Sequence, residues 1–167
     1  MFTKIDHFKE SWGYESSSTS KVLQALTDKS LSQKVGGDHR TLGRMAWHLV
    51  VTIPEMCGRM GLKVAGPKEN DPVPTSAEAI KKAYDLAVAS LQEQILRDWK
   101  DDTLMVEDDM YGEKWKRGAS LSALILHQTH HRGQMTVLMR QAGLKVPGVY
   151  GPALEEWGNY GANPPAI

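Results

Sequence analysis

The stretch Leu121–Ala142, LSALILHQTHHRGQMTVLMRQA, decides how this chain is read. Three of the six histidines, His127, His130 and His131, fall within five consecutive residues of it. At 100° per residue, Leu124, His127, His131, Gln134, Met135 and Leu138 share one face of a helix. His127 and His131 stand at i, i+4, which brings their Cβ atoms to roughly 5–6 Å. Two imidazoles so placed can share one ion, since zinc–imidazole bonds are about 2.0–2.1 Å. A pair does not complete a site, so a third ligand has to come from another element.

Composition sets the frame. The 167 residues suit a single domain over 1–167, and a chain of this size buries roughly 68–70 % of its extended surface. Twenty basic and twenty acidic side chains cancel, and the pI is about 7.0. The basic excess of a nucleic-acid binder is missing, so no nucleic-acid partner is expected. Cys57 is the one cysteine, which excludes an internal disulfide and any multi-cysteine zinc or iron–sulfur site. With no signal peptide to be read, this points to a cytoplasmic setting. No apolar run approaches the ~20 residues that span a bilayer, so no membrane partner is expected. Eight methionines and five tryptophans are read as core filling, or as walls of an adaptable pocket.

Periodicity predicts four helices. The first runs from about Ile5 to Thr27, with Trp12, Val22, Leu23 and Leu26 inward and a weakening Ser16–Ser20 run. Asp28 to Asp38 is a connection, with Asp38 as N-cap of a second helix over His39–Met60. The repeat of that helix is Leu42, Met45, Leu49, Thr52 and Met56, with His48 at its edge. Pro54 lies within the pattern and either kinks the helix one turn after His48 or ends it early. Gly61–Pro74 is a loop. Thr75 and Glu78 form the capping box of a third helix, whose stripe is Ile80, Ala83, Tyr84, Ala87, Val88, Leu91 and Ile95 and which ends near Trp99. Within Lys100–Gly118, Met110-Tyr111-Gly112 and Trp115 suggest a short hairpin, and the acidic cluster reads as solvated. The fourth helix starts near Ala119 and stops at Gly143, a good C′ residue followed by Pro147. The tail, Val146–Ile167, is expected to wrap the bundle on Tyr150, Leu154 and Trp157 with at most one helical turn. Four amphipathic segments read as an antiparallel four-helix bundle, an architecture that commonly hosts metal sites.

His48 is the candidate third ligand. It alone among the other histidines sits mid-helix on an apolar edge, although an isolated histidine there is also read as a hydrogen-bonded core residue. His7 lies near the terminus, and His39 beside Arg40 is expected to be exposed. His130 lies 100° from His131 and is read as a supporting or interface residue, with ligation in place of His127 as the alternative. Gln134 either orients a ligand ring or a water, or is a buried amide satisfied by backbone. Glu55, two turns after His48, is a fourth ligand, a general base or a surface glutamate.

The runs RTLGRMAWHLVVTIPEM and HQTHHRGQMTVLMRQAGLKVPGVYGPALEEW resemble the DinB-like (DinB/YfiT) metal-binding family. The likeness extends from SWGYESSSTSKVL to Trp157. It implies an up-down-down-up four-helix bundle, which takes precedence over the antiparallel order because periodicity cannot order helices. It also implies a divalent ion, nickel or zinc, held by His48, His127 and His131, and dimers. Characterised relatives include metal-dependent transferases acting with low-molecular-weight thiols.

The chemistry expected is that of an open three-histidine site, with one position left for water or a thiolate. A dication there lowers the pKa of that ligand and presents a nucleophile at neutral pH. The expected function is that of a metal-dependent transferase or hydrolase on a small molecule, with a low-molecular-weight thiol as candidate cofactor. The alternative is a non-catalytic metal-binding stress-response or sensor module. Metal affinity is expected to fall steeply below ~6.5, where unperturbed histidine titrates. A homodimer through the fourth helix is expected from its wide apolar arc and from the small residues Thr129, Gly133 and Thr136.

Overall fold

The computed structural model describes residues 1–166. Four long helices carry the fold: α1 (Ile5–Gln24), α2 (Leu42–Arg59), α3 (Ala77–Asp98) and α4 (Arg117–Gln141). α1 and α2 each pack on both α3 and α4. The ring order is therefore α1–α3–α2–α4, with α1 diagonal to α2 and α3 diagonal to α4. Long connections make these diagonal crossings, and α2 and α4 end up as neighbours. That adjacency brings His48 to the fourth helix.

The expected stripes form the core. Trp12, Leu49, Tyr84, Leu91, Leu121, Leu124 and Met135 are fully buried. The serine run does not break α1, because Ser16, Ser18 and Thr19 are buried and the Ser16 hydroxyl donates back to the Trp12 carbonyl at 2.6 Å. α2 continues through Pro54 to Arg59, so the proline does not end the helix.

Three boundaries differ from expectation. α1 stops at Gln24, and Thr27 caps a short 3-10 helix, Asp28–Ser32. α2 is capped by Thr41 rather than Asp38, the Thr41 hydroxyl accepting from the Arg44 amide at 3.1 Å. Gly37, with φ of +44°, turns the chain before it, so His39 and Arg40 precede the helix. α3 is capped by Ser76 rather than by a Thr75–Glu78 box. Asp28 also accepts from the Ala77 amide at 2.7 Å, a long-range cap that local pattern cannot show, and Glu78 instead pairs with Lys82.

The hairpin is present as β1 (Glu107–Met110) and β2 (Glu113–Lys116), antiparallel with Met110 opposite Glu113. Its two-residue turn puts both Tyr111 (φ 62°) and Gly112 (φ 90°) in the left-handed region, as a type I′ turn requires. Met110 is fully buried, and the hairpin packs against α2 and α4. Gly143 ends α4 with φ of +74°, as expected.

The tail forms a 3-10 helix over Leu154–Tyr160, longer than the single turn anticipated. Leu154 is exposed and does not anchor it. Polar contacts do: the Tyr14 hydroxyl donates to the Val149 carbonyl at 2.5 Å, and Arg140 pairs with Glu155. Among the described residues no helix is long and apolar enough to cross a membrane.

Candidate metal centre

α2 supplies His48 and α4 supplies His127 and His131. One ring nitrogen from each lies within 4.8 Å of the other two. The Nε2 atoms of His48 and His127 are 3.1 Å apart, and the ring centroids are separated by 4.4–4.8 Å. Among the described residues no cysteine or carboxylate joins this group. Three such histidines could hold one metal ion.

Hydrogen bonding bears on the fit. His131 Nδ1 lies 2.7 Å from the carbonyl oxygen Oε1 of Gln134, an acceptor. His131 Nδ1–H therefore donates, and the Nε2 lone pair is left free. Gln134 thus orients a ring, one of the two roles read for it. His127 Nδ1 is buried and has no partner among the described residues. Without an ion, one of the two facing Nε2 atoms must carry a proton to bond the other. Either choice leaves His127 Nδ1 as an orphan, a lone pair without a donor or an N–H without an acceptor. A dication between the rings would use both Nε2 lone pairs at once and would leave His127 Nδ1–H equally unpaired, so the fit to a metal is carried by the convergence of the three ring nitrogens.

Electrostatics keeps the rings neutral. Burial, followed by repulsion from His127 and His131, pushes His48 down from 6.5 to about 4. Burial, followed by His131 and His130, pushes His127 to about 4. Burial lowers His131 as well, against the Gln134 contact, which raises it. Proton competition is thus displaced below the pH of about 6.5 expected from unperturbed histidine. For the ion-free protein the sign follows: between 6.5 and about 4 the unfolded chain binds protons at these positions and the native state does not, so stability falls as pH falls through that window. Urea unfolding at neutral pH and near 5 should show this loss, and His48→Ala/His127→Ala should lose less. An equal loss in both would contradict the depressed titration.

The cluster lies between two clefts. His48 and His127 line a cavity of about 570 Å³ together with Arg44, Met56, Tyr111 and Trp115. His131 and Gln134 line a neighbouring groove with Met45 and Leu138. Glu55 also lines the cavity. Its carboxylate is 2.6 Å from Arg59 Nε and accepts from the Tyr111 hydroxyl at 2.7 Å, so it stands apart from the histidine group. His130 is exposed, with its ring centroid 4.9 Å from that of His131, and is not a member of the cluster. Cys57 is fully buried, and burial pushes its thiol well above the usual range.

Two polar residues of α4 escaped the sequence reading. Gln128 is fully buried, accepting from the Tyr84 hydroxyl at 3.2 Å and donating to the Leu49 carbonyl at 2.9 Å. Arg132, 3 % exposed, donates to the Glu15 carboxylate at 2.7 Å, the Glu15 carbonyl at 3.0 Å and the Thr19 hydroxyl at 3.1 Å. The Tyr150 hydroxyl completes the group, 2.9 Å from Arg132 Nη2 and 2.5 Å from Glu15 Oε1. The signal was present: Leu121, Gln128, Arg132 and Met139 fall on one face at helical spacing.

A helical bundle with three converging histidines is the class of molecule this fold and site define. A sequence profile of the DinB family matches residues 1–163, and the chain belongs to that family. The uncharacterized protein YrdA of Bacillus subtilis strain 168 is 46 % identical over 167 residues, covering 100 % of both chains. Among solved structures, a DinB-like protein from Bacillus cereus ATCC 10987 is 48 % identical, with a TM-score of 0.87 over 90 % of this chain and 100 % of that one. The DinB-like YjoA of Bacillus subtilis shares the fold at 17 % identity, with a TM-score of 0.66 over 86 % of this chain and 97 % of that one.

Proposed function

We infer that the protein binds one divalent ion, nickel or zinc, through His48, His127 and His131, and that it acts as a metal-dependent transferase or hydrolase on a small molecule. The observation that carries this reading is the position of a three-nitrogen cluster, without a fourth protein ligand among the described residues, in the wall of a cavity of about 570 Å³. Structural zinc sites close with four protein ligands, whereas catalytic ones keep a position open. A volume of this order suits a small-molecule ligand. Once bound, the ion supplies Lewis acidity that lowers the pKa of a water or a low-molecular-weight thiol at the open position. Gln134 holds the His131 ring, and burial keeps His48 and His127 unprotonated. A reducing, cytoplasmic setting belongs to the same reading, supported by the lone buried Cys57.

Elemental analysis of the purified protein tests the first step, and the spectrum of the cobalt-substituted form tests the second. About one ion per chain, with a cobalt spectrum that responds to added thiol, is expected. A chain free of metal, and unable to take up cobalt, would overturn the reading.

The same reading includes a homodimer through α4. Leu126 (69 % exposed) and Val137 (56 % exposed) lie on its outer face. A side chain at Gly133 would meet nothing within 4 Å, so neither a bundle neighbour nor the tail fills that groove. Light scattering at micromolar concentration should give a dimer, weakened in Gly133→Leu. A monomeric wild type would sink the idea, and a Gly133→Leu dimer of unchanged affinity would move the interface elsewhere.

A further inference from the structure

The arginines divide into two groups. Arg59, Arg97, Arg117, Arg132 and Arg140 each lie within ion-pair distance of a carboxylate. Among the described residues, Arg40 and Arg44 make no ion pair and no side-chain hydrogen bond. Both line the cavity that contains His48 and His127, and Arg40 also lines the groove that contains His131. Arg40 sits on the loop before α2, and Arg44, half-buried, lies one turn before His48. The carboxylates beside them do not neutralise them: Glu55 is taken by Arg59 and Tyr111, and Glu69, at the exposed rim, pairs with neither.

Two free guanidinium groups beside a site for a dication are an electrostatic cost to the metal. Arg40 contributes to lowering all three histidines, after burial and other causes. The arrangement becomes favourable when a negative charge enters the cavity, because guanidinium matches the geometry of carboxylate and phosphate oxygens. Val51, Met56, Ala123 and Trp115 give the same wall an apolar and aromatic stretch. A ligand that meets both the free arginines and this apolar stretch is small, has an apolar middle and is anionic at one end.

We propose that the substrate or co-substrate is a small oxyanion-bearing molecule, whose carboxylate or phosphate is received by Arg40 and Arg44 while a donor atom at its other end occupies the open metal position. This rests on the metal-site reading above and adds the substrate class to it.

The test uses the cobalt-loaded protein and three thiols: 3-mercaptopropionate, 2-mercaptoethylphosphonate and the uncharged 3-mercaptopropan-1-ol. Sulfur-to-cobalt charge transfer reports binding of each. At least one acid should bind the wild type roughly tenfold more tightly than the alcohol, as a charged hydrogen bond to a partly exposed arginine warrants; the better acid identifies carboxylate or phosphate. In Arg40→Gln/Arg44→Gln that preference should disappear, while alcohol binding persists and cobalt affinity stays equal or rises, because two positive charges have been removed. The opposite signs separate a lost anion site from a damaged fold. Arg40→Gln alone, at an exposed loop position, should show a partial loss. Equal binding of acids and alcohol to the wild type, a preference unchanged in the double variant, or no charge-transfer band with any thiol would overturn the proposal and leave the metal site standing. Failure to take up cobalt at all would overturn both.

Discussion

His127→Ala should leave the protein folded and essentially free of metal. Two of three nitrogens then remain, and affinity should fall by more than the 10–100-fold typical of losing a group that merely supports a ligand. His48→Ala and His131→Ala should behave alike, since all three rings converge within 4.8 Å. Gln134→Ala removes only the acceptor that holds His131 Nδ1–H, so a loss of roughly 10–100-fold is expected there. His130→Ala should retain its ion. Competitive titration against a chromophoric chelator ranks the variants. A filled His127→Ala protein beside an empty His130→Ala protein would reverse the ligand assignment.

Arg132→Ala should be among the most destabilising single changes in the chain. It leaves the Glu15 carboxylate, whose side chain is 11 % exposed, without its partner in a low-dielectric interior. Removing one member of a buried pair costs roughly 3–5 kcal/mol, or about 6–20 °C in melting temperature for a domain of this size. Replacing both partners, as in Arg132→Met/Glu15→Leu, should restore much of the loss, because no buried charge is then stranded. Denaturant unfolding of the two variants provides the measurement. A cost below about 1 kcal/mol for Arg132→Ala would show that water reaches Glu15 readily.

The two results concern different kinds of legibility. The histidine cluster could be read because two of its members are local on α4: His127 and His131 announce themselves by spacing, and His48 by its place on an apolar edge. The hairpin could be read because Tyr111-Gly112 is a local turn signal. The inward face of Arg132 could be read from helical spacing, but its partners Glu15, Thr19 and Tyr150 could not, because they lie on α1 and the tail and nothing near Arg132 in the chain declares them. The second cap of α3 is hidden for the same reason, since Asp28 reaches the Ala77 amide from far upstream. The order of helices around the bundle is likewise a property of the long connections rather than of any helix's own period. The unpaired state of Arg40 and Arg44 is visible only once every carboxylate has been placed.

His48 and His127 are 79 positions apart, and the segment between them contains all of α3 and the hairpin. Closing a flexible loop of that length costs about 4 kcal/mol in chain entropy, apart from a constant. In the native protein that cost has been met by packing of the intervening elements, not by the histidines. The site is therefore prepaid by helices that contribute no ligand. A change that loosens α3, far from any histidine, draws on the same free energy that holds the rings together, and an ion bound there in turn resists the opening of α3.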